Sequence, residues 1–218
     1  MAGLAVSPRT PFATSLPTVT STTETLYELD RHGDAVVLRL VSEDGTNRLT
    51  LARVRALTAV LDELATHPPA LLVITGNRHF FSAGADLNEI AALTGPGAFR
   101  FAHLGQRLMH AVASFPAPTI AAIHSYCMGG GLDLALACRR RVAGPRAVFG
   151  HRGAALGLIT GWGGTQRLPR LIGKGRALQM FLAAEKVHAA RALEIGLVNA
   201  VAEDPLAAAL DMSNPCGI

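Results

Sequence analysis

The sequence predicts an α/β fold in which helices cover a sheet, and three observations lead to this prediction. Short runs of β-forming apolar residues alternate with segments whose apolar residues recur at helical spacing. Half of the 218 residues are hydrophobic and 17% are charged, a balance that suits a compact domain. Proline and glycine clusters separate the segments, yet no linker divides the chain in two and no clean internal repeat is present.

The first part of the chain predicts a hairpin, a helix and a strand. Residues 25–40 hold two apolar runs around "RHGD", a pattern typical of a β-hairpin. Helical spacing follows, and Pro68 and Pro69 end the predicted helix. Its apolar positions are Leu51, Val54, Leu57, Val60, Leu61 and Leu64. Residues 70–76 then predict a buried strand, and residues 81–90 predict a turn that leads into a helix.

The second part continues the same alternation. The spacing predicts a helix over residues 99–115, which two prolines stop, and a buried strand over 119–126. The segment 127–138, "CMGGGLDLALAC", predicts a glycine turn that opens a helix, with the arginines 139–141 at the helix end. The remaining predictions are a short strand pair or extended stretch at 142–150 and helices at 174–185 and 188–198, the last ended by Gly196.

Charge and cysteine content restrict the classes of protein. The net charge of +4 mildly favours anionic ligands and is too small to argue for nucleic acid by itself. Cys127, Cys138 and Cys216 are odd in number and lack metal-site spacing, so we expect a reduced, cytoplasmic protein without a metal site. No apolar run approaches the length of a membrane span, and no membrane association is expected.

Both ends of the chain are predicted to lie outside the main domain. Residues 1–24 are rich in Ser, Thr and Pro with a single Arg, which predicts a flexible extension, a transit peptide being the alternative. The domain is expected over residues 25–202, and residues 203–218 are expected to form a short C-terminal tail.

Two glycine turns combine a strand end with a helix start. They lie at residues 83–86, "AGAD", and 129–131, "GGG". A helix start leaves backbone N–H groups without partners, and glycine allows a ligand to approach them. Two such groups aimed at one point would stabilise a carbonyl oxygen as it becomes an oxyanion, whereas ordinary turn chemistry is the alternative. The segments "IGKG" and "GWGGTQ" do not match phosphate- or dinucleotide-binding motifs.

Three segments together carry a resemblance to a known family. "FFSAGADLNEI", "SYCMGGGLDLALAC" and "VFGHRGAALGLITGWGGTQRLPRLIGKGRAL" resemble the signature segments of the enoyl-CoA hydratase/isomerase (crotonase) family, in order and spacing. The resemblance runs from about Tyr27 to about Ala202. It implies a crotonase-like (ClpP/crotonase) spiral of β-β-α units, an acyl-CoA substrate without a separate cofactor, and a homo-oligomer, a trimer or hexamer. Family members continue past "GLVNAV" with further helices, so the C-terminal helical part is expected to be truncated.

The resemblance also implies roles for individual residues. The backbone N–H groups of Ala85 and Gly130 would bind the thioester carbonyl and stabilise an enolate. The residues implied in substrate or CoA binding are Ala83, Ala85, Asp86, Leu87, Gly129 and Gly130. Trp162 is a candidate for the wall of the acyl site, a packing role being the alternative.

The family's acids are only partly present. Family members that are good hydratases have one Glu two residues after the glycine triplet and a second three residues after the next Phe-Gly. This chain has Asp133 at the first position, where it could also stabilise the helix dipole, and Gly153 at the second. His151 is the candidate replacement acid or base, with a role as a surface or hydrogen-bonding residue as the alternative. Arg152 could orient a substrate carboxylate or be solvated.

The leading hypothesis is therefore a lyase or isomerase of acyl-CoA and fatty acid metabolism with Asp133 as its main acid/base. An alternative is a non-catalytic acyl-CoA-binding or assembly protein, which the absence of an acid at Gly153 favours. A weaker alternative is RNA binding, against which the modest net charge argues.

Overall fold

Two β-sheets organise the part of the chain that the computed structural model describes, residues 25–212. The predicted N-terminal extension, residues 1–24, and residues 213–218 with Cys216 lie outside it. The strands are β1 Tyr27–His32, β2 Ala35–Leu40, β3 Leu71–Thr75, β4 Phe80–Ser82, β5 Thr119–Ile123, β6 Tyr126–Met128, β7 Arg140–Ala143, β8 Val148–Gly150, β9 Val187–His188 and β10 Ala200–Val201. The larger sheet has the order β1-β2-β3-β5-β7-β10, and the smaller has the order β4-β6-β8-β9.

The helices lie between and around the sheets. They are α1 Leu51–Leu64, α2 Leu87–Ala91, α3 Gly95–Ala113, α4 Gly130–Ala137, α5 Gly164–Ile172, α6 Lys174–Leu182, α7 Ala189–Glu194 and α8 Pro205–Asp211, with a 3₁₀ turn at Gly153–Leu156. The predicted hairpin, the helix α1 before the paired prolines, strand β3 and helices α4, α6 and α7 are confirmed. Helix α3 begins four residues earlier than predicted, with a proline in its first turn. None of the described helices is long and apolar enough to span a membrane.

The chain repeats one β-β-α unit. In each unit a first strand joins the larger sheet, a second strand joins the smaller sheet, and a helix follows. This pattern describes β3-β4-α2, β5-β6-α4 and β7-β8-α5, and the strands pair in parallel with their counterparts in the next unit. The predicted α/β spiral is therefore confirmed. Because the second strands end side by side, the helix starts that follow them meet at one edge of the smaller sheet.

The inner strands β2, β3 and β5 of the larger sheet are buried on both faces, whereas β1 at its edge is largely exposed. In β2, Val36, Leu38 and Leu40 pack into the main core, whereas Ala35 and Val37 belong to a second cluster on the opposite face. Helix α8 contributes to that second cluster, so the packed body extends past residue 202 into the segment predicted as a tail. Alternate side chains of a strand face opposite ways, which accounts for this division.

Four predictions about local structure were wrong. Residues 119–126 do not form one strand but hold all of β5 and the first residue of β6, because at His124 and Ser125 the chain crosses from the larger sheet to the smaller one. Residues 80–82 form strand β4 where a turn was predicted, and the strands within 142–150 belong to different sheets. The arginines 139–141 do not end α4, since β7 begins at the second of them.

The third of these arginines has a structural role. Arg141 is buried, and its guanidinium donates to the carbonyls of Leu197, Ala135 and Cys138. Burial lowers the pKa of this guanidinium. The side chain ties β7 to the end of α4 and is not available to a ligand.

Candidate active site

A cavity of about 420 Å³ lies where β4, β6 and β8 end and α2 and α4 begin. This volume is within the range of small-molecule sites. All of the predicted site residues except Asp86 line it, namely Ala83, Ala85, Leu87, Gly129, Gly130, Asp133, His151 and Trp162. Segments far apart in sequence therefore meet at one cavity, as the glycine turns predicted.

The two glycine turns touch through their backbones. Gly84 has φ +100° and Gly129 has φ +52°, conformations that favour glycine. A Cβ on Gly84 would lie 2.8 Å from the carbonyl oxygen of Met128 and 3.2 Å from the nitrogen of Gly130. A Cβ on Gly130 would lie 3.3 Å from the nitrogen of Ala85. The N–H groups of Ala85 and Gly130 are therefore close neighbours at the cavity wall, and Gly130, as the first residue of α4, has an N–H that the helix does not bond.

Asp86 has a different position from the other predicted residues. Its carboxylate caps α2 by accepting from the N–H groups of Asn88 and Glu89, at 2.9 and 3.0 Å. Its second oxygen lies 3.4 Å from the guanidinium of Arg48. The side chain therefore fixes the turn that carries Ala85 and does not line the cavity.

Asp133 lies in the first turn of α4 with a side chain that is 0% exposed. The hydroxyl of Thr160 donates to its Oδ2. Nε2 of His151 lies 3.2 Å from its Oδ1, but these two buried atoms are not aligned for a hydrogen bond, and neither has another partner among the described residues. Two unpartnered polar atoms thus share the wall of the cavity, an arrangement that suits proton transfer to a bound molecule.

Gly164 provides the space for this cluster. A Cβ at this position would lie 2.1 Å from Asp133 Oδ1 and 3.0 Å from His151 Nε2. Nothing larger than hydrogen therefore fits beside the two groups. The role of Gly164 was missed in the sequence, where "GWGG" indicated only a turn.

His151 is not a surface residue, because it is 4% exposed and its ring packs against Phe181 with the centroids 5.0 Å apart. Arg152 is exposed and lines the same cavity, as does the exposed Lys186. The cavity therefore combines the buried Asp133–His151 pair with two cationic side chains open to solvent, which suits an anionic ligand.

Trp162 both lines the cavity and fills space. Its indole packs against Phe101 at 5.1 Å between centroids, and its Nε1 donates to the Phe101 carbonyl. A Cβ on Gly105 would lie 2.1 Å from the indole, and one on Gly130 would lie 2.7 Å from it. A packing role, the alternative stated for Trp162, is consistent with these contacts. The residue also lines the cavity.

The rest of the wall is largely apolar. Leu156, Leu158 and Ile159 come from the 3₁₀ turn and the loop after it, and all three are exposed. Leu87 is 51% exposed and lines the cavity from α2. These side chains suit a hydrocarbon group, and sequence periodicity could not find them because they lie in a loop.

Cys127 is buried in β6, and burial raises the pKa of its thiol well above the ordinary value. Burial also raises the pKa of the Cys138 thiol, to about 12. A thiol that stays protonated is a poor nucleophile, so the interpretation of Cys127 as a small buried residue fits its surroundings.

Within residues 25–212 no group of three or more His, Cys, Asp or Glu side chains could hold a metal ion.

Gly153 opens the 3₁₀ turn, and a Cβ there would lie 2.7 Å from the carbonyl oxygen of Leu158. The Leu158 carbonyl therefore leaves no space for a side chain at position 153. We expect Gly153→Glu to lower the free energy of unfolding by about 1–3 kcal/mol, because the backbone must move to admit the side chain. Urea unfolding would measure the loss. The matched control is Ala154→Glu at an exposed position of the same turn, and equal stability of the two variants would contradict the expectation.

Comparison with known proteins places this site in a family. The family model described as enoyl-CoA hydratase/isomerase matches residues 32–210. A "probable enoyl-CoA hydratase" of Bacillus subtilis is 39% identical over 171 residues, which cover 78% of this chain and 66% of the relative. A "crotonyl-CoA hydratase" of Syntrophomonas wolfei is 41% identical over 159 residues, which cover 72% of this chain and 60% of the relative. The chain thus spans less than two thirds of the length of these curated relatives.

Solved structures agree with the sequence relatives. Pseudomonas aeruginosa DspI superposes with a TM-score of 0.83 and 36% identity, over 89% of this chain and 82% of that one. An enoyl-CoA hydratase from Bacillus anthracis superposes with a TM-score of 0.82 and 33% identity, over 87% of this chain and 75% of that one. The crotonase-like fold expected from the motifs is confirmed, and the chain belongs to the enoyl-CoA hydratase/isomerase family.

Proposed function

We propose that the protein binds an acyl-CoA thioester in this cavity and forms and protonates an enolate there, with Asp133 as the main acid/base. The observation that carries the proposal is the meeting of two backbone turns and one buried carboxylate at a single cavity. The N–H groups of Ala85 and Gly130 would donate to the thioester oxygen, where negative charge develops in the transition state. The relatives named as hydratases support an acyl-CoA substrate.

The proton steps follow from the positions of the polar groups. In a proton shift on a 3-enoyl thioester, Asp133 Oδ1 removes a proton from the α-carbon, the electron pair moves into the thioester carbonyl to give a dienolate, and the dienolate takes the proton back at its γ-carbon. In hydration, a water proton passes to Asp133 or His151 as the water oxygen adds to the β-carbon, and the α-carbon takes a proton. His151 lies 3.2 Å from Asp133, where it would serve as the second group in place of a side chain at Gly153.

The rest of the substrate would use the remaining walls. The exposed cations Arg152 and Lys186 are candidates for the phosphates of CoA. The apolar loop side chains Leu156, Leu158 and Ile159 are candidates for the acyl chain. No separate cofactor enters the proposal, because the thioester itself supplies the electron sink.

One observation favours a second candidate, a non-catalytic acyl-CoA-binding protein. At Gly153 the loop closes on the Leu158 carbonyl, so a second family acid is absent and has no space in this loop. Binding would use the same two turns and the same apolar wall. The two candidate functions differ only in whether a bound thioester is converted to a product.

The test is turnover of crotonyl-CoA and a panel of 3-enoyl and malonyl-type thioesters, followed by mass spectrometry. We expect Asp133→Asn to lower kcat by about a hundredfold, at the low end of general acid/base effects because His151 remains. Leu87→Ala, at an apolar residue of the cavity wall, serves as a control that alters KM more than kcat. Tight CoA binding by the wild-type protein without turnover of any thioester would contradict the enzymatic proposal and favour the second candidate.

A further inference from the structure

Thr160 makes a contact that links the loop after the 3₁₀ turn to helix α4. Its hydroxyl donates to Asp133 Oδ2, and the N–H of Trp162 points at the hydroxyl oxygen from 3.4 Å. A backbone N–H can only donate, so the hydroxyl oxygen accepts on that side and directs its own proton to the carboxylate. The hydroxyl is half-buried, within the wall of the cavity.

This contact makes the two oxygens of Asp133 different. Oδ2 is occupied by the threonine hydroxyl. Oδ1 is fully buried, lacks a hydrogen-bond partner among the described residues, and lies 3.2 Å from His151 Nε2. The bare backbone of Gly164 borders the same oxygen. The oxygen left for proton transfer is therefore Oδ1.

We propose that Thr160 is a positioning residue that fixes Oδ2 of Asp133 and thereby presents Oδ1 to His151 and to the substrate. Its catalytic consequence rests on the proposed function, whereas its effect on the carboxylate does not. A hydrogen bond donated to a carboxylate favours the ionised form, which is the form that accepts a proton. The short arm of aspartate, one methylene shorter than glutamate, makes such fixation of one oxygen more important.

Other charged groups near the carboxylate are accounted for. The titratable or charged groups described around it are His151 beside Oδ1, the buried Cys127 thiol from β6, Arg152 and Lys186 on the cavity wall, and Arg167 on α5. The guanidinium of Arg167 donates to the carbonyls of Trp162 and Met109. His151 is therefore the described titratable group that lies directly beside the oxygen that Thr160 leaves free.

The first test follows the carboxyl carbon of Asp133 by NMR in protein with ¹³C-labelled aspartate, assigned with Asp133→Asn. In Thr160→Val, we expect the signal of this carboxyl carbon at a fixed neutral pH to move from its wild-type position, because the hydrogen bond to Oδ2 is lost. Thr160→Ser keeps the hydroxyl and is expected to retain the wild-type position of the signal. Thr165→Val, which removes a half-buried hydroxyl on α5 away from Asp133, is the matched control.

The second test uses a thioester that the wild-type protein turns over. Thr160→Val is expected to lower kcat about tenfold to a hundredfold with little change in KM, and to be rescued by Thr160→Ser. An unchanged Asp133 carboxyl signal in both Thr160→Val and Thr165→Val would overturn the inference. A moved carboxyl signal in a protein that turns over no thioester would support the inference and contradict the proposed function instead.

Discussion

Gly164→Ala is expected to lower kcat/KM by about a thousandfold, because it displaces at once the two groups proposed for proton transfer. The new methyl carbon would lie 2.1 Å from Asp133 Oδ1 and 3.0 Å from His151 Nε2, well inside contact distance. The carboxylate would have to rotate away, and the Thr160 contact to its other oxygen would break with it. Steady-state kinetics on any thioester that the wild-type protein turns over would measure the loss.

The matched control for this change is Gly175→Ala. Gly175 lies in α6 and outside the cavity wall, and no atom of a described residue comes within 4 Å of the place that its Cβ would take. Alanine in a helix is more favourable than glycine by about 1 kcal/mol, so this control is expected to be active and slightly more stable. Gly164→Ala with the activity of the control would contradict the assignment of the buried pair to catalysis.

Gly84→Ala is expected to lower kcat by about a hundredfold to a thousandfold, the effect of losing an oxyanion donor, and also to destabilise the fold. Its φ of +100° strains any residue with a side chain. Its Cβ would lie 2.8 Å from the Met128 carbonyl and 3.2 Å from the Gly130 nitrogen, so the two turns must separate. We expect about 2 kcal/mol or more to be lost from the free energy of unfolding, by strain and overpacking together.

Gly33→Ala separates backbone strain from damage to the site. Gly33 has φ +58° in the β1–β2 hairpin, and no atom of a described residue lies within 4 Å of its Cβ position. Its replacement is expected to cost about 1 kcal/mol of stability and to leave kcat unchanged. If both variants lost stability but neither lost activity, the N–H groups of Ala85 and Gly130 would not be the donors to the substrate.

The sequence predicted those elements that are marked by residues close together in the chain. The stripe that ends before Pro68 predicted α1, and its central members Val54, Leu57, Val60 and Leu61 are all buried. The glycine turns likewise predicted the placement of Ala85 and Gly130, because strand, turn and helix start follow one another within a few residues. The crossing at His124 and Ser125 was not predictable, since which sheet a short strand joins is decided by partners far along the chain.

The contacts around the Asp133 carboxylate also could not be predicted from the sequence. Thr160 and Asp133 are 27 residues apart, and neither periodicity nor a motif relates them. Gly164 has no side chain, so its residue type gives no indication of a role in the site. His151 was proposed because it lies two residues before Gly153, where the family's second acid is missing, but its burial against Phe181 depends on α6 and could not be inferred.

The contact between Gly84 and Gly130 has a consequence for how such a protein changes in evolution. The donors proposed for the substrate oxygen are main-chain groups, which nearly every amino acid possesses, so replacement of side chains elsewhere in the cavity leaves them in place. Proton-transfer groups, in contrast, are single side chains that one codon change can remove or introduce. A lineage can therefore exchange one reaction for another, or pass through a binding-only ancestor, without ever rebuilding the place where the thioester is held.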